Sequence, residues 1–261
     1  MPLSFKHKPS LVAYLTCGDP DLAITRDIAF AAIDAGAAVI ELGVPFSDPV
    51  ADGPVIQRAS ERALRHGTSL LQVLGLAKEV RQHSQAGLII FTYLNPILRL
   101  GMARFSAAAQ DAGVDGALIT DLPVEESHEY LAEMQKRSLA TVFLAAPTST
   151  DARLKQIAHA SSGFVYAVSR TGVTGTRQQM PEDAPKLVSR LRRYTDLPVA
   201  VGFGISTSAQ FKAVGEFADA AVVGSAIVDC IERNPGKEAE SVAQFVKQLL
   251  VVRRQSSALL R

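Results

Sequence analysis

One short segment of the chain, residues 41–57, carries three carboxylates in an unusual setting. Glu41 ends an apolar run, and Asp48 and Asp52 follow in a loop rich in Pro and Gly. Burying a carboxylate costs free energy and raises its pKa, so an acid at the end of a buried strand is seldom accidental. We therefore take Glu41 and Asp52 as candidates for acid–base chemistry.

Glycine pairs in the last third of the chain predict a site for an anion. Gly202 and Gly204 follow one apolar run, and Gly224 and Ser225 follow the next. Glycine allows backbone N–H groups to approach an anion closely, and Ser225 begins an apolar helical stretch whose first N–H groups have no partner within the helix. Either pair alone would suit a tight turn. Two pairs together favour a phosphate site, to which Gly175 can add a donor.

Enzymes that break carbon–carbon bonds often use a Schiff-base lysine or a metal ion, and the sequence offers the residues for neither. A Schiff-base enzyme needs a lysine at the end of a strand, whereas the lysines here fall at the N-terminus or in helical segments. A metal-dependent enzyme needs clustered ligands, whereas the five histidines are scattered outside the strand ends. We therefore expect no metal, and expect any such reaction to run on the carboxylates.

The remaining acidic positions favour structural roles. Asp19 lies in Gly-Asp-Pro, which is typical of a turn. Asp121 precedes Leu-Pro and fits a turn, a helix cap or a contact with a partner. The glutamates of segment 125–129 fit the solvated face of a helix. None of these acids combines an apolar strand with a Gly/Pro loop as the 41–57 segment does.

Short apolar strands alternating with amphipathic helices are expected to position these residues. Eight runs are apolar at successive positions, as expected of parallel strands buried on both faces. They are residues 11–16, 38–42, 88–93, 116–120, 141–145, 164–168, 198–201 and 219–223. Helical patterns lie between them or close the chain, at 22–36, 53–86, 125–138, 151–160 and 237–251. The 53–86 segment is predicted to form two helices that divide near 66–68.

This alternation predicts an α/β fold with one domain over residues 1–261, a (β/α)8 TIM barrel. A doubly wound sheet is the alternative, but no Gly-x-Gly-x-x-Gly loop follows the first strand. Active sites of such barrels lie at the carboxyl ends of the strands. Glu41, Asp52 and the glycine pairs are then all expected at one mouth of the barrel.

Charge, cysteine content and hydropathy argue against several classes of protein. The net charge is +1, which argues against a nucleic-acid surface. Two distant cysteines, Cys17 and Cys230, suggest neither a disulfide framework nor a zinc site. No secretory signal and no apolar run of about 20 residues, the length that spans a bilayer, is visible, so we expect a cytoplasmic protein without a membrane partner.

Several motifs, in order along nearly the whole chain, resemble the tryptophan synthase alpha subunit family. The most specific is the 41–57 segment. The others are residues 18–20, 121–127, 169–175, 202–206 and 224–228. The resemblance implies a lyase of tryptophan biosynthesis, which cleaves indole-3-glycerol phosphate to indole and glyceraldehyde 3-phosphate.

The resemblance also implies a role for each matching residue. It makes Glu41 and Asp52 the catalytic pair. The implied substrate-binding residues are Tyr14, Tyr166, Thr174 and Phe203. The implied phosphate-binding residues are Gly175, Gly204, Gly224 and Ser225. Pro45 and Asp48 are implied to face a partner, and segment 170–184 is expected to be mobile.

By the same resemblance the chain has no cofactor of its own and joins a beta subunit that holds pyridoxal phosphate, in an αββα complex. Two alternatives remain open: a stand-alone lyase that releases free indole, and a protein whose main role is to activate the beta subunit. Another phosphate-binding barrel would not explain the 41–57 segment. One departure is that no clear helix precedes Leu11, where the family covers the base of the barrel.

Overall fold

Eight parallel strands close into a barrel in the computed structural model, which describes residues 3, 5–168, 182–202 and 204–250. Each strand pairs with its neighbour in sequence, and β1 pairs with β8. The strands are β1 (Ser10–Thr16), β2 (Val39–Gly43), β3 (Gly87–Thr92), β4 (Gly116–Ile119), β5 (Ala140–Ala145), β6 (Val165–Val168), β7 (Val199–Gly202) and β8 (Ala220–Val223). The predicted (β/α)8 barrel is confirmed, and the doubly wound alternative is wrong because the sheet is closed.

Helices within the described residues surround the barrel. They are α1 (Leu22–Ala35), α2 (Pro54–Arg65), α3 (Leu70–His83), α4 (Leu94–Leu100), α5 (Met102–Asp111), α6 (His128–Lys136), α7 (Asp151–Ala160), α8 (Asp183–Leu191), α9 (Ser208–Val214), α10 (Ser225–Arg233) and α11 (Glu238–Leu250). The predicted division of segment 53–86 is confirmed. Gly67 adopts a φ of 73°, and a capping box of Ser69 and Gln72 begins α3.

Segment 125–138 differs from its prediction as one helix. Residues Val124–Glu126 form a short 3-10 turn, and α6 begins only at His128. The Ser127 hydroxyl donates a hydrogen bond to the carbonyl of Val124 at 2.8 Å. Serine competes for backbone groups in this way, which favours a turn over continued helix.

The barrel interior is filled by alternate residues of the strands. Side chains alternate between the two faces of a strand, so Val39 and Glu41 of β2 share the inner face while Ile40 and Leu42 pack outwards against helices. The inner cluster consists of Leu3, Val12, Val39, Ile89, Leu118, Val142, Phe164, Ala200, Ala220 and Val222. Glu41 therefore points into the barrel one level above this apolar layer.

Side chains from described residues that precede β1 cover the lower end of the barrel. Leu3 is buried in the inner cluster, and the Phe5 ring meets Phe164 edge-on with 5.7 Å between centroids. A β-carbon on Gly87 would lie 2.8 Å from Leu3 Cδ2, which shows how closely Leu3 approaches the strand. Leu3 and Phe5 thus help to cover this end of the barrel, in contact with the inner cluster.

Other features bear on the class of protein. Among the described helices, none is long and apolar enough to cross a bilayer. In the same part of the chain, no three His, Cys, Asp or Glu side chains are grouped as metal ligands would be. Cys17 is buried and Cys230 half-buried, and both are free thiols.

Candidate active site

Glu41 is fully buried inside the barrel. The β1–β2 pairing places Tyr14 opposite it, and the β2–β3 pairing places Ile89 on its other side. Neither carboxylate oxygen has a hydrogen-bond partner among the described residues. Burial raises the pKa of Glu41 to about 8, as the sequence predicted in direction. At neutral pH this side chain holds a proton that it can donate.

Asp52 lies in the loop between β2 and α2, where three hydrogen bonds fix it. Its backbone N–H donates to the Pro49 carbonyl at 3.0 Å, and Gln57 Nε2 donates to the Asp52 carbonyl at 2.9 Å. The Tyr93 hydroxyl donates to Asp52 Oδ2 at 3.0 Å. Burial raises the pKa of Asp52 to about 6, against the lowering effect of the Tyr93 hydrogen bond. Asp52 is therefore more acidic than Glu41.

Tyr93 is a site residue that the sequence predictions did not include. It follows β3 directly and is buried, with its hydroxyl on Asp52 and its ring stacked on Phe46. Its position at the carboxyl end of a barrel strand is the only signal in the sequence that points to it.

Two tyrosines stand near the carboxylates. Burial raises the pKa values of Tyr14 and Tyr166, and the negative charges of Glu41 and Asp52 raise them further, which places both phenols near both acids. The Tyr14 ring meets Phe91 edge-on with 5.1 Å between centroids. These side chains form an apolar and aromatic wall suited to a flat ring.

Glycines on neighbouring strands make room for both phenols. A β-carbon on Gly43 would lie 2.4 Å from the Tyr14 hydroxyl oxygen, and one on Gly202 would lie 2.6 Å from that of Tyr166. Both distances are shorter than any real contact of that kind. The width of the site therefore depends on the absence of two side chains.

We expect Gly43→Ala to lower the free energy of unfolding by about 1–3 kcal/mol, the usual range for overpacking, and to displace the Tyr14 ring. Gly75→Ala is the matched control, because Gly75 is exposed in α3 and a β-carbon there meets nothing within 4 Å. That change should stabilise by about 0.5–1 kcal/mol through helix propensity. Urea unfolding measures both, and equal effects of the two changes would contradict this interpretation.

The loops after β7 and β8 have backbone features that would suit the predicted anion site. Gly204 has a φ of 82°, and Gly224 precedes α10 as its N-cap without any side-chain cap. The first N–H groups of α10, from Ser225 onwards, are consequently available to an anion and lie at the positive end of the helix dipole. In contrast, the N-terminus of α9 is closed by a capping box of Thr207 and Gln210.

An ion-pair network links α10 to α2 and to the loop between β1 and α1. Arg62 of α2 makes a two-pronged contact with Asp19, at 2.7 and 2.8 Å, and also reaches Glu232 of α10 at 2.7 Å. Arg58 makes a second contact with Glu232 at 2.7 Å, and the two hydrogen-bonded arginines help hold the pKa of Glu232 down at about 2. Asp19 has the structural role that its turn sequence predicted.

Comparison with known proteins identifies the family. The model of the family described as tryptophan synthase alpha chain matches residues 2–258. The chain belongs to this family. The tryptophan synthase alpha chain of Solibacter usitatus is 52% identical over 92% of this chain and 89% of its own length. That of Neisseria meningitidis is 44% identical over 92% of each.

Solved structures of the family share the fold. A tryptophan synthase complex from Pyrococcus furiosus contains a chain 41% identical, with a TM-score of 0.87 over 93% of this chain and 98% of that one. A Mycobacterium tuberculosis tryptophan synthase gives 36% identity and a TM-score of 0.88 over 94% and 92%. The resemblance drawn from the motifs is confirmed.

Three of the residues assigned by family resemblance lie outside the described part of the chain: Thr174, Gly175 and Phe203. Most of the segment expected to be mobile, 170–184, also lies outside it, since description resumes at residue 182. The structure therefore brings together Glu41, Asp52, Tyr14 and Tyr166 at one mouth, with Gly204, Gly224 and Ser225 in the loops above. The roles of all these residues stay predictions.

The two residues that family resemblance assigns to a partner surface, Pro45 and Asp48, both lie in the β2–α2 loop. Asp48 is exposed, whereas Pro45 is buried and lines a groove with Phe46, Leu71 and Pro96. Leu71, which lines this groove, is exposed by 51%. Two other large apolar side chains are exposed as well, Val50 of the β2–α2 loop by 76% and Leu98 of α4 by 56%. Exposed apolar side chains of this size suit contact with a protein partner.

Proposed function

We propose that the chain is the alpha subunit of a tryptophan synthase and cleaves indole-3-glycerol phosphate to indole and glyceraldehyde 3-phosphate. The observation that carries the proposal is a fully buried Glu41, without a hydrogen-bond partner among the described residues, near the more acidic Asp52. Family membership indicates the substrate. The pKa values of the two carboxyl groups differ, so that near neutral pH Glu41 can act as an acid while Asp52 is ionised.

Glu41 moves the protons of the reaction. Its carboxyl group, protonated near neutral pH, donates to C3 of the indole ring. The resulting carboxylate accepts the proton of the hydroxyl on the adjacent side-chain carbon. That hydroxyl carbon becomes the aldehyde, and the electron pair of the breaking carbon–carbon bond returns to the ring and restores indole. The proton count of Glu41 is unchanged at the end.

Asp52 stabilises the charge that develops on the ring. Protonation at C3 places positive charge on the ring nitrogen, whose N–H can donate to the Asp52 carboxylate. A fixed negative charge in a dry site favours this intermediate over the neutral ring. Tyr14, Tyr166 and Phe91 hold the ring, while Gly204, Gly224 and Ser225 hold the phosphate and so orient the reacting bond.

The same proposal extends to the assembly. A beta subunit docks on the β2–α2 loop, which carries Pro45, Asp48 and the exposed Val50, and takes up indole in an αββα complex. Pyridoxal phosphate belongs to that partner, and this chain has no cofactor of its own. Residues 1–261 form one domain that works in the cytoplasm. The tryptophan synthase complex from Pyrococcus furiosus supports the partnership.

Indole release from indole-3-glycerol phosphate tests the proposal, with and without a tryptophan synthase beta subunit. We expect slow cleavage by the chain alone and strong activation by the partner. High activity unchanged by the beta subunit would favour a stand-alone lyase. Activation of the beta reaction without indole release would favour a purely activating protein.

The pH dependence of kcat/KM adds an independent check. Activity should rise as Asp52 loses its proton near pH 6 and fall as Glu41 loses its proton near pH 8. The expected profile is a bell with its maximum near pH 7, whose two limbs describe the interacting pair of acids. A rate that keeps rising through pH 9 would contradict Glu41 as the acid.

A further inference from the structure

Tyr93 makes three contacts that converge on the loop carrying Asp52. Its hydroxyl donates to Asp52 Oδ2 and accepts from the Ala51 backbone N–H, each at 3.0 Å. Its ring stacks on Phe46, with 4.8 Å between centroids and 25° between planes. The Tyr93 side chain thus contacts the loop near its beginning, at Phe46, and near its end, at Ala51 and Asp52.

The backbone around Tyr93 is held in place by α4 and by Asp121. It forms the N-cap position of α4, and the next backbone N–H, that of Leu94, donates to Asp121 Oδ1 at 2.7 Å. Only 3% of Tyr93 is exposed. A side chain anchored in this way sets the position of a loop better than the loop can do alone, because loops lack a regular hydrogen-bond ladder of their own.

The hydrogen bond from Tyr93 affects the ionisation of Asp52, because the neighbouring side chains do not favour the carboxylate. Asp52 is flanked by Glu41 of β2, Tyr14 of β1 and Tyr166 of β6, none of which offers a positive charge. Burial disfavours the ionised form of Asp52, and among the described side chains the hydrogen bond from the Tyr93 hydroxyl acts against this effect. A hydrogen bond donated to a carboxylate favours its charged form.

We propose that Tyr93 is a positioning residue for the cleavage, which keeps Asp52 ionised and holds its second oxygen, Oδ1, towards the ring N–H of the substrate. The inference rests on the proposed function, because it assumes that Asp52 acts on the ring. Tyr93 contacts Oδ2 and so leaves Oδ1 for the substrate.

The test is the pH profile of Tyr93→Phe, which keeps the ring and its stacking on Phe46 but removes the hydroxyl. The acid limb of kcat/KM should move up by about one pH unit, the size of shift that one charge-assisted hydrogen bond produces. At pH 6 the variant should lose about fivefold in kcat/KM, and near pH 7.5 less than twofold, as follows from the fraction of Asp52 that is ionised.

Tyr130→Phe is the matched control, since the Tyr130 hydroxyl is also buried and donates to the Ala117 carbonyl at 2.8 Å, behind β4. It should lose stability without moving either limb. A 13C titration of the Asp52 carboxyl in the ligand-free protein provides a second readout, and it should show the same upward shift in Tyr93→Phe alone.

The outcomes separate this inference from the function on which it rests. An acid limb and a carboxyl titration that both stay at their wild-type positions in Tyr93→Phe would overturn the role of Tyr93 while leaving the proposed function intact. Asp52→Asn serves as the reference, because it should abolish most activity. Wild-type activity with an unchanged acid limb in Asp52→Asn would overturn the proposed function, and this inference with it.

Discussion

Glu41→Gln should lower the rate of indole release by 10²–10⁴-fold, about 3–5 kcal/mol of barrier, which is the usual contribution of one positioned proton donor. Glutamine has nearly the same shape and fits the same buried space, but it can neither donate an acidic proton to C3 nor accept the hydroxyl proton. The other parts of the site, the aromatic wall and the glycine loops, are unaffected by the change. Binding should therefore survive where turnover does not.

Two measurements on the same variant make the expectation specific. Indole release gives the loss of turnover, and calorimetric titration with the product glyceraldehyde 3-phosphate should give a dissociation constant within about twofold of the wild type. Glu216→Gln is the matched control, since Glu216 is exposed near the end of α9 and undergoes the same chemical change. Wild-type turnover in Glu41→Gln would remove Glu41 from the mechanism.

The same substitution should stabilise the protein, and increasingly so as the pH rises. The pKa of Glu41 is raised from 4.5 to about 8 by burial, so the native state holds its proton where the unfolded chain has lost it. Below pH 4.5 both states are protonated and the group has no effect. Between pH 4.5 and 8 the free energy of unfolding falls as the pH rises, and above pH 8 the penalty is complete.

Unfolding by urea at pH 5, 6.5 and 8 measures this dependence. Glutamine does not titrate, so the stability of Glu41→Gln relative to the wild type should increase between pH 5 and 8 by on the order of 4 kcal/mol. The Glu216→Gln control should show no such trend, because that side chain is exposed. A constant difference across the range would mean that Glu41 is ionised in the folded protein at neutral pH.

The strands and the central acid were predictable because their signals are local. The run Val39-Ile40 followed by Glu41 indicates, within a few residues, both a buried strand and an acidic side chain at its end. Alternation of strands and helices then limits the topology to very few choices, and the barrel closes as expected. The glycine pairs after β7 and β8 are visible in the sequence for the same reason, and their role in binding an anion stays a prediction.

The supports of the site were not predictable, because they depend on contacts between distant segments. Nothing near Tyr93 in the sequence indicates that its hydroxyl meets Asp52, which lies one βα unit earlier. Likewise Gly43 and Gly202 are required by tyrosines on neighbouring strands, not by any turn of their own. The turn at residues 124–126 has a local cause, the hydrogen bond from Ser127 to the Val124 carbonyl, and the helical pattern of the glutamates concealed it.

Closure of the barrel has a consequence for synthesis of the chain. The first strand pairs with the last, and α11 packs along α1, with Leu250 facing Gly36 at the end of that helix. During translation, β1 therefore presents an unpaired edge until nearly all later residues have emerged, and such edges are prone to pair with other chains. Pairing of β8 with β1 closes this edge and α11 then packs on α1, so we expect the nascent protein to become resistant to aggregation only after both elements have been made.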